Sequence, residues 1–347
     1  MSLPTVSVII PTYNRKDSLL RTLRSLAQQT YPTERFEVIV VDDGGSDGTE
    51  GVSRRDFPFA LHYVRQDNQG ATVARNTGAS ASSGEILTFV DDDIQLHPQT
   101  LERLLAVKVD QRTIPLGALA TPSAIGGTSV FAGLNQTDHV AEMMGADVTE
   151  LPFQECMTGL LSVRREDFVA LGGFQDPTGG WPNWDDVDFG YRAHLAGYRL
   201  IRVWSAVAEH WDHALVDLRS ACFRWERAGH SGAALLQRYP ELANHIPMFD
   251  DKAPIIWLRD PPTRILRKLA RQVASSRTTM WAMEHAEPVV ERHAPGSTVL
   301  KLLYRWIISG HIYRGYREGL RDIARCVASV EKAVETYRQR PSERPGT

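Results

Sequence analysis

Four short β-branched runs occupy the first hundred residues, helical segments separate them, and three of the runs stop at a polar cluster. Val6–Ile10 stops at Pro11 and the Thr12–Arg15 segment, Glu37–Val41 at Asp42-Asp43-Gly44-Gly45, and Ile86–Val90 at Asp91-Asp92-Asp93. Leu61–Val64 is the fourth run. Between the runs, Ser18–Gln29 places Leu19, Leu20, Leu23 and Leu26 at helical spacing, Ala71–Ala81 reads as a second helix, and a third follows Pro98. This order predicts an α/β fold with a mostly parallel central sheet flanked by helices. In such sheets ligands bind beyond the C-terminal ends of the strands. The three polar clusters stand at those ends.

The pattern loosens between 110 and 180. Leu160–Val163 then predicts a strand, Arg165–Leu171 a short helix, Asp185–Ala196 a helix with an acidic first turn, and Arg199–Val203 another strand. Beyond about 215 the chain is mainly helical. We therefore expect an α/β domain over 1–215, in two parts of about 1–110 and about 111–215. A helical region would follow over 216–347.

No apolar run reaches the roughly 20 residues that a membrane-spanning helix needs. Met1-Ser2-Leu3-Pro4 lacks a basic segment followed by an apolar one, so no signal peptide is expected. Cys156, Cys222 and Cys326 are spaced for neither a zinc site nor a disulfide framework, which points to a reducing cytoplasm. The net charge of −3 conceals a split: residues 251–347 hold 18 basic and 10 acidic side chains, and the rest of the chain is acidic. The acidic part argues against a nucleic-acid partner. The basic part suits an anionic membrane surface, where Leu302–Ile308 and Tyr313–Arg317 mix aromatic and apolar groups with Arg.

Three acids directly after an apolar strand are the strongest chemical signal. Strand alternation would put Asp91 and Asp93 on one side and Asp92 on the other. A shared side suits a hard divalent ion, Mn²⁺ or Mg²⁺, with positions left for diphosphate oxygens. Asp42-Asp43 offers acceptors for a base or a ribose, and equally good turn chemistry. Asp185, Asp186 and Asp188 open a helix behind Trp181 and Trp184. The helix dipole explains acids there, Asp188 and Arg192 are spaced to pair, and a carboxylate held ionised would serve as a general base. His210 is a candidate third metal ligand. Gly44-Gly45-Ser46-Asp47-Gly48 matches the nucleophile elbow of a serine hydrolase, the rival enzyme class, with Ser46 as nucleophile.

Taken in order, these segments resemble the family 2 glycosyltransferases of the GT-A fold. The resemblance runs from Val6–Arg15 through Val40–Gly44, Asn68-Gln69-Gly70 with Ala74-Arg75-Asn76, Phe89–Asp93 and Gly172-Gly173-Phe174 to Asp185–Asp188 with Arg192 and Gly197-Tyr198. It implies donor binding by Pro11, Thr12, Tyr13, Arg15, Asp42, Asp43, Asn68, Gly70, Arg75, Asp91 and Asp92. It implies a metal at Asp91-x-Asp93, with Asp93 the main ligand and His210 a further one. Asp186 becomes the catalytic base beside Asp185, and Trp181 and Trp184 lie on the acceptor side. Asp185-Asp186 stands where the family usually has Glu-Asp. Ala221 stands where processive members carry Gln ahead of Arg224-Trp225, so a non-processive enzyme is expected.

The implied reaction is inverting transfer from a nucleoside-diphosphate sugar, UDP-linked by family habit, to a saccharide or lipid-linked acceptor. Polysaccharide or glycoconjugate biosynthesis would be its setting, with peripheral contact at the inner face of a membrane and a homo-oligomer as further expectations. A retaining GT-A enzyme is the alternative, and product stereochemistry separates the two.

Overall fold

A computed structural model of the protein describes residues 5–107, 112–122, 129–135, 147–176, 184–211, 216–249, 251–253, 255–258 and 260–338. Two compact units divide the chain. The first comprises Met1–Ala221 and Glu287–Tyr304, the second Cys222–Ala286 and Arg305–Thr347.

In the first unit β1 (Val6–Thr12), β2 (Phe36–Asp42), β3 (Ala60–Arg65) and β4 (Ile86–Val90) pair in parallel in the order β3-β2-β1-β4. Every residue of β1 is buried, because both faces of a parallel strand are covered. Alternation divides its side chains. Val6, Val8 and Ile10 join Val38 and Val40 against Leu19, Leu20 and Leu23 of helix α1 (Lys16–Leu26). On the other face Ile39 and Val41 meet Ala74 of helix α2 (Ala71–Ala81), and Ile9 joins Ala79.

The sheet then becomes mixed. Among the described residues it has nine strands and continues through β8 (Leu160–Arg164), β6 (Thr113–Ala120), β9 (Arg199–His210) and β5 (Ile94–Leu96), with β7 (Val148–Leu151) also on β9. β8 runs antiparallel to β4, and β6 runs parallel to β9. β9 is far longer than the Arg199–Val203 run the sequence suggests. A register shift lets it continue: Gly117 pairs with Val203, but Ala118 pairs with Val207. Gly117 must be glycine here, since a Cβ would collide with the Leu160 side chain. Past the shift β9 pairs with β5, setting Ile94 opposite His210. Helix α3 (Thr100–Ala106) follows β5, α4 (Arg165–Ala170) follows β8, and α5 (Asp185–Leu195) precedes β9. Phe89, Phe168, Phe174 and Phe189 pack as an aromatic cluster that ties α4 and α5 to the sheet.

Most of the second unit belongs to four helices, α6 (Leu218–Arg238), α7 (Pro262–Ala274), α8 (Arg277–His293) and α9 (Thr298–Arg338); α7 lies wholly inside it and the other three each have one end in the first. Within it α6 and α9 approach so closely that a Cβ on Gly315 would strike the Glu226 carbonyl. His311 of α9 sits between two carboxylates, Glu226 at 2.5 Å and Glu284 at 3.2 Å. No described helix is long and apolar enough to cross a membrane.

Candidate active site

Parallel pairing in register gathers the polar clusters at one edge of the sheet: Thr12 stands beside Asp42, and Asp42 beside Arg65. A cavity of about 330 Å³ opens there, lined by Pro11, Thr12, Tyr13, Arg15, Asp43, Ala71, Arg75 and the three acids Asp91–Asp93.

Asp91–Asp93 depart from the alternation read in the sequence. β4 ends at Val90, and the acids lie in a turn closed by the Ile94 N–H donating to the Asp91 carbonyl at 3.1 Å. Strand geometry therefore stops applying. Asp92 and Asp93 turn to the same cation: Arg15 Nη1 lies 2.8 Å from Asp92 Oδ1 and 3.0 Å from Asp93 Oδ2. Asp91 instead accepts from Arg75 Nη2 at 2.6 Å. Asp92 is the most enclosed of the three acids. It is buried, accepts from the Thr12 hydroxyl at 2.7 Å, and its carbonyl accepts from Thr22 Oγ1 at 2.9 Å. Burial pushes its pKa up to about 6, against the pull of Arg15 and Thr12. Asp93 moves the other way: burial opposes its charge, but His210 and Arg15 outweigh it and hold the carboxyl below the usual range.

His210 reaches this point through β9. The Trp211 N–H donates to the Asp93 carbonyl at 2.9 Å, and His210 Nε2 lies 3.4 Å from Asp93 Oδ1. That buried oxygen accepts no hydrogen bond among the described residues. A carboxylate and an imidazole facing one point suit a divalent ion. Asp91 does not complete the pair, and no three His, Cys, Asp or Glu side chains converge among the described residues. An ion there would take its remaining ligands from solvent or a diphosphate.

Asp42 and Asp43 divide in function. Asp42 is fully buried and does not line the cavity; it accepts from the Gly45 N–H at 2.7 Å, the Tyr63 hydroxyl at 2.6 Å and Arg65 at 3.3 Å. Burial and this carboxylate push Tyr63 up to about 12. Asp43 lines the cavity and accepts from Gln66 Nε2 at 2.7 Å and from the N–H groups of Gln69 and Gly70 at 2.9 and 2.8 Å. Asn68 is exposed beside this turn. Ser46 is exposed, its N–H donating to Asn14 Oδ1 at 2.6 Å and its hydroxyl facing the same amide oxygen at 3.5 Å, which is no general base for a serine nucleophile.

Arg75 extends the site to α5. Its Nη1 lies 3.0 Å from Asp185 Oδ2, which also accepts from Thr72 Oγ1 at 3.0 Å. Burial works against the guanidinium charge, but Asp91 and Asp185 outweigh it and hold its pKa above normal. Asp186, next in the chain, accepts from the Val187 N–H at 2.7 Å. Burial and the Asp185 charge raise its pKa well above the usual carboxylate range. Asp188 is fully buried and pairs with Arg192 at 2.8 Å, whose other nitrogens donate to the Leu171 and Gly173 carbonyls. That pair is structural, as its spacing suggests. Trp184 caps α5 and is buried, while Trp181 lies outside the described residues. Asn76 clasps Phe174 from both sides, its amide donating to the carbonyl at 2.8 Å and its oxygen accepting the N–H at 3.0 Å. Sequence reasoning missed Thr72 and Thr22 as supports of the acids, since isolated threonines carry no spacing signal.

Residues 7–136 match the model of glycosyl transferase family 2. Over that segment the chain is similar to glycosyltransferase family 2. It is 44% identical over 108 residues to glycosyltransferase AglE of Haloferax volcanii, covering 29% of this chain and 34% of that protein. It is 30% identical over 237 residues to validoxylamine A glucosyltransferase of Streptomyces hygroscopicus subsp. jinggangensis, covering 60% of this chain and 56% of that one. The match thus spans about a third to just over half of these relatives. The fold is GT-A. It superposes with a TM-score of 0.57 on a mannosyltransferase from Pyrobaculum calidifontis in complex with GDP-Man and Mn²⁺, at 19% identity over 92% of this chain and 89% of that one. TarS 1-349 of S. aureus in complex with UDP gives 0.50 at 18% identity, over 91% of this chain and 92% of that one.

Proposed function

We propose that this protein is an inverting, non-processive glycosyltransferase that moves a sugar from a nucleoside-diphosphate donor to an acceptor hydroxyl. What carries the reading is one arrangement. A cavity lined by Arg15 and Asp93, with His210 beside Asp93, is joined through Arg75 to Asp185, whose chain neighbour Asp186 has a raised pKa that suits proton removal. Catalysis belongs to the first unit, at residues Pro11–Tyr13, Asp43 and Asp91–Asp93 for the donor and Asp186 for the acceptor. The nucleoside lies against Pro11, Thr12 and Tyr13, with Asp43 as acceptor for base or ribose donors. Asp93 and His210 would hold a divalent ion, Mn²⁺ or Mg²⁺, which when bound would supply positive charge for the diphosphate oxygens. Arg15 adds a fork of donors for diphosphate oxygens. Asp186 takes the proton of the acceptor hydroxyl as its oxygen attacks the anomeric carbon. One displacement inverts the configuration, the nucleoside diphosphate leaving on the opposite face.

UDP is our first choice of nucleotide. The TarS structure holds UDP and the Pyrobaculum enzyme GDP-Man with Mn²⁺, so both belong in the test. Thermal unfolding is followed with UDP, GDP and dTDP, with and without Mn²⁺. A nucleotide at 100 times its dissociation constant adds about 2.7 kcal/mol of stability. No shift with any of the three overturns the donor reading. The anomeric configuration of the product, read by NMR, is expected to be inverted; a retained product moves the enzyme to the retaining class.

We assign the second unit to an anionic surface, a membrane or a lipid-linked acceptor, on the cytoplasmic side. Its sequence holds 19 basic and 11 acidic residues, against 20 and 31 in the first unit. Co-sedimentation with anionic vesicles that weakens with salt is expected; protein left in the supernatant at low salt removes this part of the reading.

A further inference from the structure

Helix α7 is built inside out. Lys268 is buried, bonded to Asp260 at 2.7 Å, and Arg271 donates to Asp251 at 2.8 Å, so the basic side faces its own unit. The apolar positions Leu266, Leu269 and Val273, at helical spacing, are 69%, 40% and 70% exposed. A helix of a globular domain turns its apolar stripe inward. Just before it, Trp257 and Leu258 are 68% and 100% exposed. Clustered apolar exposure of this kind marks an interaction site, whereas single exposed residues do not.

Within the same unit a cavity of about 600 Å³ opens between residues 252–257, α7 and α9. Small-molecule sites occupy about 300–1,000 Å³. One wall is apolar, made by Ile255, Trp257, Leu269 and Leu320. Arg317 and Arg321 supply cations, Lys252 adds an ammonium already paired with Asp251, and no described lining residue is acidic. The neighbouring carboxylates are already engaged. Asp251 accepts from Lys252 at 2.6 Å and from Arg271, and Asp322 pairs with His230 at 3.0 Å and Arg325 at 3.2 Å. Arg317 and Arg321 are one turn apart on α9, on the same face. Buried Tyr313 steadies Arg317, its hydroxyl 3.4 Å from Nη1 and its ring beneath the guanidinium.

We propose that this cavity binds an anionic amphiphile, a phosphate head on a long apolar chain. The head meets Arg317 and Arg321, with Lys252 deeper in the wall. The chain runs along Trp257 and Leu269 and continues over the outward stripe of α7. Leu269 belongs to both the cavity and the stripe, so the apolar path is continuous. Guanidinium groups suit a phosphate through paired, charge-assisted hydrogen bonds. Donor binding plays no part in this assignment.

The test uses the full chain and dodecyl phosphate below its micellar concentration, with binding read by calorimetry and Trp fluorescence. Inorganic phosphate and dodecyl maltoside supply the head alone and the chain alone. Saturable binding of dodecyl phosphate is expected, about 10-fold or more tighter than either control. Arg317→Glu with Arg321→Glu is expected to weaken it about 10-fold or more, since each basic residue adds about a factor of five on an anionic surface. The milder pair Arg317→Gln with Arg321→Gln checks the result if the charge reversal unfolds the protein. Three outcomes overturn the assignment: equal binding by either arginine pair and wild type, equal binding of dodecyl maltoside, or displacement by inorganic phosphate at the same concentration. A fourth is a dimer, seen by light scattering, that Leu266→Gln with Val273→Gln dissolves while lipid binding ignores the arginines. The stripe is then a contact between two copies. Thermal shifts with nucleotide and Mn²⁺ on the same variants report on the donor site separately.

Discussion

Arg15 and Arg75 each hold two carboxylates, but at very different depths. The Arg15 side chain is 42% exposed at the cavity mouth, between Asp92 and Asp93, which are neighbours in sequence. The Arg75 side chain is 8% exposed and joins Asp91, after β4, to Asp185, at the start of α5. The first contact is open to water on the side of its arginine, where phosphate oxygens can reach the guanidinium, although Asp92 and Asp93 are only 5% and 7% exposed. In the second the cation itself is buried, and removing it leaves Asp185, 12% exposed, and Asp91, 30% exposed, without the charge that joins them. One arginine is therefore exchangeable and the other is a strut. The strut carries the end of the parallel half of the sheet to the helix that presents Asp186.

Removing the strut is expected to have the largest effect. Arg75→Ala should lower unfolding free energy by about 3–5 kcal/mol in urea titrations, with transfer activity lost alongside. Arg75→Lys should recover part of the stability but little activity, because an ammonium cannot fork to both acids. A melt for Arg75→Ala within about 1 kcal/mol of wild type makes the two arginines equivalent and ends the contrast.

Asp186→Asn comes next. Turnover should fall about 10²-fold or more while nucleotide binding stays unchanged, since asparagine keeps the shape but takes no proton. Full activity transfers the role to Asp185. The pH profile sharpens the point. A base acts only when deprotonated, and the pKa of Asp186 is raised, so kcat/KM should fall on the acid side at a pH well above the roughly 4 of an ordinary carboxylate. An acid limb at that ordinary value contradicts the assignment.

Asp93→Ala tests the exposed side. The Mn²⁺-dependent part of nucleotide stabilisation should vanish, and its persistence removes Asp93 from the metal site. The smallest effect is expected for Arg15→Gln: stability within about 1 kcal/mol of wild type, with weaker nucleotide binding measured by calorimetry. A loss as large as that of Arg75→Ala makes Arg15 a strut as well.

The parallel half was legible because its information is local. Val6–Ile10, Glu37–Val41 and Ile86–Val90 are mainly apolar runs, each with a single polar residue, and Leu19, Leu20, Leu23 and Leu26 mark α1 unaided. The mixed half hides its strands. β6 contains Pro115 and Gly117, β5 has three residues, and β9 is interrupted by the register shift, so none shows a sustained period of two. The site followed the same division. Asp43, Asp93 and Asp186 were marked by their neighbours in sequence. The meeting of Arg15 with Asp92, and of Arg75 with Asp185, spans 77 and 110 residues, beyond any local pattern. Alternation failed for Asp91–Asp93 because the strand ends one residue before them.

The shift in β9 has a consequence for how this protein tolerates change in length. His210 faces Asp93 because the count of residues between Val203 and Val207 is what it is. Deleting one residue there would advance the strand by one position and reverse every side chain after it. Trp211 would then stand where His210 does, offering Asp93 an indole in place of an imidazole, whereas inserting one residue would bring Glu209 there and add a fourth acid to a cluster that two arginines already have to balance. A lesion of either kind leaves composition and fold nearly intact, touches no residue of the cavity, and takes the imidazole from its rim. Insertions and deletions should therefore be accepted in the loops ahead of β9 and refused within it.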